Sequence, residues 1–448
     1  MLRATVILKL PQLSKEILWS TFVQFGGKAL QIGLGIFTVK LITNALGSEN
    51  YGVYGKISEF SLFFATAANL GIFGNMVRKM SLNPSDGKLF GNALLLRLFT
   101  GLLFFGAGWG YAWFTIQDQA FLVGTLFFMS SLLLDFLTTV CDALLQAHYK
   151  MGRATLALLL GRVTNLGMVY ALSQRLLLNP ESTPVELFVL APLLASVVTL
   201  CASFLIAQRT VKPIWSLNIQ LLKELFWTSL PFGIINILNN LYFRFIPSAV
   251  LAKKLSEEQF GVYSLSLHLA STVSLLSTLF MFSVLPELEK HLKNKDWDKA
   301  RTLYKNAKLF LSIGFVAVVG LGTWLAPWAI SLVSSKDFIS PETWFLLPML
   351  LVLAGVSYFY DLAFLSLFAL KQEIWWLKRE LLALGLCLIF VLATTFTAES
   401  GGAAMLILTG AIAAEAAMAH WGMKRLKQIL RSCSHKISLD RSTQFHSD

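Results

Sequence analysis

The sequence predicts an all-α polytopic membrane protein, with twelve transmembrane helices in two parallel six-helix repeats that form two lobes around a central cavity. Three observations predict it. Only 14% of the 448 residues are charged and 56% are hydrophobic, whereas an ordinary soluble domain is about a quarter charged. Apolar stretches of about 20 residues, the length that crosses a bilayer core, recur along the whole chain. Finally, the phrase LGSENYGVY at 46–54 returns as LSEEQFGVY at 255–263.

Residues 1–16 contain Pro11 and lack both a long apolar core and a small-residue cleavage site, so they read as a cytoplasmic lead-in and not as a removable signal. Spans at 17–46, 51–76, 90–113, 120–147, 154–174 and 187–207, helices 1 to 6, make an N-lobe over 17–207. A cytoplasmic linker, 208–224, leads into a C-lobe over 225–423. Its spans, helices 7 to 12, are 225–252, 260–285, 309–333, 343–370, 380–397 and 402–423. A basic cytoplasmic tail, 424–448, follows. These runs are too long and too evenly apolar for barrel strands, and a backbone in lipid must satisfy its own hydrogen bonds, which requires helices.

Orientation comes from the cations. Of the 37 Lys and Arg residues, 27 fall in the two tails and the even-to-odd connections. The alternate connections hold only Arg175, Lys253, Lys254 and Lys336. This asymmetry places both termini in the cytoplasm and makes the net charge of +12 chiefly an orientation signal, not a nucleic-acid footprint. The four cysteines form no disulfide or metal-ligand spacing, and HExxH, CxxC, GxxxxGK[ST] and GxSxG are all missing. Neither a cofactor nor a metal is expected. The longest external connection, 175–186, is too short for the loop constellation of a glycan polymerase or ligase, so an enzyme is not expected.

The echoed phrases sit at the same position in each half and are separated by an even number of spans, so the two halves share one orientation. Gly52 and Gly261 are expected to adopt an unusual backbone angle there, with Tyr51, Tyr54 and Tyr263 at headgroup level. The basic stretch at 287–308 reads as one amphipathic cytoplasmic helix, resting on anionic lipid or meeting an anionic substrate.

Six cations lie inside spans: Lys28, Lys40, Lys56, Arg97, Arg162 and Arg244. Lys40, Lys56 and Arg97 are near span ends, where snorkelling suffices. Arg162 is expected to pair with Asp135 or Asp142. Lys28 and Arg244 are near mid-span in helices 1 and 7, the equivalent first helices of the repeats. Ser20, Gln24, Lys28, Gln31, Gly35 and Thr38 form one polar stripe; Ser229, Gly233, Asn236, Asn240, Arg244 and Ser248 form the other. Such stripes must meet protein or water. They either face a hydrated cavity that neutralises an anion and binds hydroxyl-rich cargo, or they are interhelical glue with each cation paired to a carboxylate such as Glu59. Glu59 and His268, equivalent positions in helices 2 and 8, together with Asp135, are candidates for ion coupling. Asp361 and Glu415 are further acids within spans.

A polar-striped first helix followed by LGSENYGVY and ANLGIFGNMVRKM resembles the polysaccharide (O-antigen type) flippases of the multidrug/oligosaccharidyl-lipid/polysaccharide exporter superfamily. FMFSVLPELEKHLKNKDWDKARTLYKNAKLFL and LVSSKDFISPETWFLLPMLLVLAG resemble the same family's second half, and the similarity spans about 15–425. The resemblance implies a flippase of the bacterial inner membrane. It would move an undecaprenyl-diphosphate-linked oligosaccharide by alternating access, in lipopolysaccharide O-antigen or related surface-polysaccharide synthesis. Its implied partners are that lipid-linked oligosaccharide, membrane lipids, and a glycan polymerase or other polysaccharide-assembly proteins, with no nucleic acid. It also implies that Arg78, Lys28 and Arg244 are substrate-binding cations, while the cavity reading of the two stripes makes Gln24, Gln31, Asn236 and Asn240 its polar substrate-binding residues. The alternative on the same fold is a cation-coupled exporter of drugs or small organic molecules.

Overall fold

Lys15–Asn69 is one helical run of 55 residues, interrupted only at Gly47, where φ is 68° and ψ 179°. Unbroken, such a run would be about 80 Å long, well over twice a bilayer core. The Gly47 break turns it into two crossings, helix 1 (15–46) and helix 2 (48–69). With that break counted, the eleven long apolar helices found among the described residues supply twelve crossings. This computed structural model describes residues 15–444 apart from 117, 149, 179–184, 295 and 397–399. Side chains are described within 26–429, positions 282, 286 and 293 also excepted.

Helix 2 breaks again at Leu70 and Gly71, both at positive φ, and continues as Ile72–Leu82. Helix 3 is Gly87–Thr115, helix 4 Gln119–Ala147, helix 5 Met151–Leu178 and helix 6 Leu190–Gln208. Helix 7 begins as Ile219–Asn240, widens into a π-turn at Leu241–Phe245 and resumes as Ile246–Lys254. Pro247 has no N–H to return to the preceding turn, which accounts for the widening. Helix 8 is Glu257–Lys293, started by a capping box between Ser256 and Gln259. Helix 9 runs Trp297–Val316, Ala317–Leu321 as a π-turn, then Gly322–Val333. Helices 10, 11 and 12 are Thr343–Ala369, Glu373–Ala393 and Ser400–Gln444.

The basic stretch at 287–308 is therefore not one helix. It is the end of helix 8 and the start of helix 9, and between them the Asp296 N–H donates to the His291 carbonyl at 2.9 Å. We call the end of the bundle that carries these cation-rich connections the basic end, and the opposite end the echo end.

Helices 1 to 6 pack into one lobe, centred on Met76, Phe90, Val140 and Leu144. Helices 7 to 12 pack into the other, around Tyr242, Tyr358, Trp376 and Met418. A third cluster, with Leu46, Tyr51, Phe260, Tyr263 and Phe338, joins the lobes at the echo end. The two echoed phrases meet in that cluster. A Cβ on Gly52 would lie 2.0 Å from the Glu257 carbonyl oxygen, and one on Gly261 would lie 2.0 Å from that of Ser48.

These glycines are needed for close approach and not for an unusual angle, since the positive φ belongs to Gly47 and Gly71. The tyrosine expectation changes for the same reason. Tyr51 and Tyr263 are buried at the lobe crossing instead of lying at headgroup level. Tyr51 sits edge-on to Phe338, with centroids 5.5 Å apart, and the Tyr263 hydroxyl shares a 3.1 Å hydrogen bond with Ser248.

Arg97 also departs from expectation. It is fully buried and does not snorkel. Its guanidinium donates to the Asn69 carbonyl at 3.0 Å and to Asn69 Oδ1 at 3.1 Å, and lies 5.2 Å over the Phe136 ring. It thereby holds the end of helix 2 just before the Leu70–Gly71 break.

Candidate functional site

Burial along helices 1 and 8 shows where the lobes part. Helix 8 is buried from Phe260 to Leu267, and from His268 onward it shows an exposed stripe of His268, Thr272, Leu275, Leu276 and Leu279. In helix 1, Ile42, Thr43 and Leu46 are buried, while Lys28, Ile32, Ile36 and Phe37, nearer the basic end, are exposed. The lobes are thus closed at the echo end and open between helices 1 and 8 toward the basic end.

Helices 2 and 7 stay joined along their length. At the basic end, Lys79 Nζ lies 2.6 Å from Glu224 Oε1, and Asn75 donates to the Thr228 and Ser229 hydroxyls at 2.5 and 3.1 Å. Midway, Leu70 and Gly71 nest against Gly233 and Phe232. Nearer the echo end, Arg244 grips Glu59 with both arms, Nε to Oε2 at 2.6 Å and NH2 to Oε1 at 2.7 Å. Ser248 adds a 3.4 Å hydrogen bond to the same carboxylate, and Phe63 stacks on Phe245 with centroids 3.7 Å apart. Lys56 reaches Glu257 at 2.6 Å, a further link between the lobes.

Beneath this latch lies a cavity of about 420 Å³, between helix 2 on one side and helices 7, 8, 10 and 12 on the other. Its polar lining is mostly uncharged. Asn69, Asn236, Asn239 and Asn240 supply amides, and Thr66, Ser271, Ser274, Thr278, Ser357 and Tyr360 supply hydroxyls. Phe232, Phe243 and Phe364 add flat apolar faces. Asn236 and Asn240 donate to the carbonyls of residues 232 and 236, one turn back in their own helix. The charged members are Arg244, Asp361 and Glu415. Asp361 accepts from Ser277 and Thr278 at 2.6 and 2.7 Å; Glu415 accepts from Asn239 and Tyr242 at 3.1 and 3.0 Å.

Of the residues singled out in the sequence, Asn236, Asn240, Arg244, Asp361 and Glu415 line this cavity together. Glu59 stands just outside it as the partner of Arg244. Lys28 and Arg78 are exposed, do not line the cavity and have no ion-pair partner among the described residues. Gln31 is half-buried on helix 1, and the side chain of Gln24 lies outside the described residues. His268 is exposed on helix 8. Asp135 accepts a 2.7 Å hydrogen bond from Ser196, within the first lobe, and Arg162 is exposed; neither it nor Asp142 forms an ion pair with Arg162 among the described residues.

The sequence reading missed Asn239, Tyr360 and the serine and threonine face of helix 8. The run INILNN signals Asn239, but the hydroxyls of helix 8 fit lipid-facing or cavity-facing positions equally well, because each can bond its own helix.

A family of proteins described as polysaccharide biosynthesis protein matches residues 15–286, more than half of the chain. No curated protein sequence matches it. Among solved structures, the chain is similar to a multidrug resistance MATE family transporter of the MOP superfamily in its inward-facing conformation. The TM-score is 0.68 at 18% identity, over 89% of this chain and 95% of that one. Its likeness to an outward-facing MATE transporter scores 0.61 at 16% identity, over 93% and 96% of the two chains. A MOP superfamily transporter from Pyrococcus furiosus, reported to have a binding pocket of reverse polarity, scores 0.63 at 17% identity over the same shares. The fold is thus that of the MOP superfamily transporters, and the chain belongs to the polysaccharide biosynthesis protein family.

Proposed function

We propose that the protein is a flippase that carries a lipid-linked oligosaccharide, joined to its polyprenyl chain through a diphosphate, across the bacterial inner membrane. On this reading the basic end is cytoplasmic and the movement is alternating access of the two lobes. The observation that carries it is the cavity lining. Amides and hydroxyls set among aromatic faces suit the hydroxyls and apolar faces of sugar rings, in a chain that belongs to a polysaccharide biosynthesis family. The opening between helices 1 and 8 is flanked by Ile32, Ile36, Phe37, Leu275, Leu276 and Leu279, so a prenyl chain could remain in lipid while its head entered.

In this mechanism the exposed cations Arg78 and Lys28 meet the diphosphate as it arrives from the basic end. The diphosphate then competes with Glu59 for Arg244, and loss of the Arg244–Glu59 grip frees the echo end to open. Glu59, His268 and Asp135 are the candidates for coupling that cycle to an ion gradient. Complementation tests the reading: Arg244→Ala should abolish surface-glycan export in a deletion strain while the protein remains in the membrane. Unchanged export would overturn the role of Arg244.

A second reading, export of cationic organic molecules, is favoured by one feature, the two acids Asp361 and Glu415 in the cavity wall. Both already accept two hydrogen bonds from neighbouring residues, which leaves less of their capacity for a cargo. A deletion strain that kept its surface glycan and became sensitive to cationic drugs would establish it.

A further inference from the structure

A second cavity, of about 430 Å³, lies in the second lobe at the basic end, between helices 9 and 12, and shares no lining residue with the first. Its walls have the same plan. Helix 9 contributes Arg301, Tyr304, Lys305 and Lys308, and helix 12 contributes His420, Met423, Lys424 and Lys427. Each set is spaced i, i+3, i+4, i+7, one full face of a helix. Three basic side chains on one helix therefore confront two lysines and a histidine on the other, with Tyr304 and Met423 between them.

Like charges on facing helices repel, and this arrangement needs a counter-charge. Among the described residues, no carboxylate pairs with these cations. The described ion pairs on this face, His291 with Glu287 and Asp296, and Lys299 with Asp296, include none of the groove's cations. The groove also lies where the surface of helix 9 changes character. After Lys308, the exposed residues that follow Lys305 along helix 9 by steps of four and three are Leu309, Ile313 and Val316, a surface for hydrocarbon, whereas Phe310 turns away and stacks on Phe280 of helix 8 with centroids 4.5 Å apart. A basic groove that opens at one end onto an apolar strip has the shape of an amphiphile binding site, with the anionic head among the cations and the tail along the strip.

We propose that this groove binds the phosphate headgroup of an anionic membrane phospholipid, with its acyl chain along Leu309, Ile313 and Val316, and that the lipid neutralises the facing helices. The site is separate from the interlobe cavity, so the proposal stands or falls independently of the cargo assigned to that cavity.

The test uses the full-length purified protein in a neutral detergent and measures its thermal midpoint with phosphatidylglycerol, phosphatidylcholine or inorganic phosphate added at equal concentration. Phosphatidylglycerol should raise the midpoint of the wild type, and the other two should not. In the variant Arg301→Gln/Lys305→Gln/Lys424→Gln/Lys427→Gln, that rise should vanish. Phosphatidylglycerol retained in native mass spectra should fall by at least about tenfold. All four positions are exposed, so the variant is expected to fold with its basal midpoint kept or raised. A control, Lys88→Gln/Lys212→Gln/Lys290→Gln, removes exposed cations elsewhere at the basic end and should respond to the lipid as the wild type does. Three outcomes would overturn the proposal: an equal rise in the groove variant, an equal rise with inorganic phosphate, or an equal loss in the control.

Discussion

Replacing Glu59 by Gln tests whether the Arg244–Glu59 contact is what keeps the echo end shut. The substitution keeps the side chain's size and removes its charge, leaving a guanidinium that is 23% exposed without its carboxylate. Breaking a buried pair by removing one partner costs about 3–5 kcal/mol. Because Arg244 faces the cavity and retains access to water, we scale this to about 2 kcal/mol, a factor of about thirty in population at 1.4 kcal/mol per decade. The contact joins helix 2 to helix 7 across the lobes, so the loss falls on the closed form and not on either lobe's own fold.

The assay is alkylation of a cysteine placed at Asn240, in a chain whose four native cysteines are replaced by serine. An impermeant maleimide is applied from the echo side of oriented vesicles. Glu59→Gln should speed labelling about thirtyfold, Arg244→Met should do the same, and the double variant should be no faster than either single one. Labelling rates that do not change, or effects of the two substitutions that simply add, would refute the latch.

Gly261→Val places a branched side chain where even a Cβ would sit 2.0 Å from the Ser48 carbonyl. The echo end should then fail to close, with labelling at position 240 becoming fast whatever residue 59 is, and with a lowered thermal midpoint. Arg97→Lys should destabilise the protein by about 1–3 kcal/mol, because lysine cannot make the forked contact to Asn69; urea or thermal unfolding in detergent measures it. Lys79→Gln should change stability by less than about 1 kcal/mol, since its partner Glu224 is 60% exposed and the pair is a surface one.

The membrane class, the span count and the two-lobe plan were legible because they depend on run length and composition, which local sequence carries directly. The echoed phrase was legible as a repeat, but its purpose was not. Nothing in LGSENYGVY reveals that its glycine will face the glycine of the second copy, because that contact is made across 209 residues of chain. Arg244 on a polar stripe was visible from periodicity, as was a carboxylate partner for it as one of two alternatives. Which face of helix 7 would meet helix 2 depended on a π-turn that shifts the helical register at 241–245. Arg97 was misread because its position near a span end suggested snorkelling, whereas Asn69 and Phe136 create a buried site for it. Lys28 was as visible on its stripe as Arg244, and Arg78 came only from the family resemblance; only the tertiary structure separates both from the cavity wall.

A paired Arg244 suits a carrier better than a bare one would. Under the proposed alternating access the empty protein has to return through its cycle, and an unpaired guanidinium at mid-membrane would make that return costly, at about 2.5–3.5 kcal/mol even on insertion scales. Glu59 removes that penalty when no cargo is present. It also limits how tightly an anionic group can be held, because binding must displace a carboxylate that already makes two short contacts. On the proposed function, an arriving anion that took Arg244 from Glu59 would change two things at once: it would itself be neutralised, and the closed form would lose its interlobe grip. To invert a two-state population from 1:99 to 99:1 a ligand must prefer one state by about 5.5 kcal/mol. A latch worth about 2 kcal/mol supplies only part of that preference. The rest has to come from contacts that the amides and hydroxyls make differently in the two states, or from ions moving down their gradient. Neutralising Glu59 should therefore bias the cycle without driving it to completion, and Glu59→Gln should leave a protein that opens readily at the echo end yet still responds to its cargo.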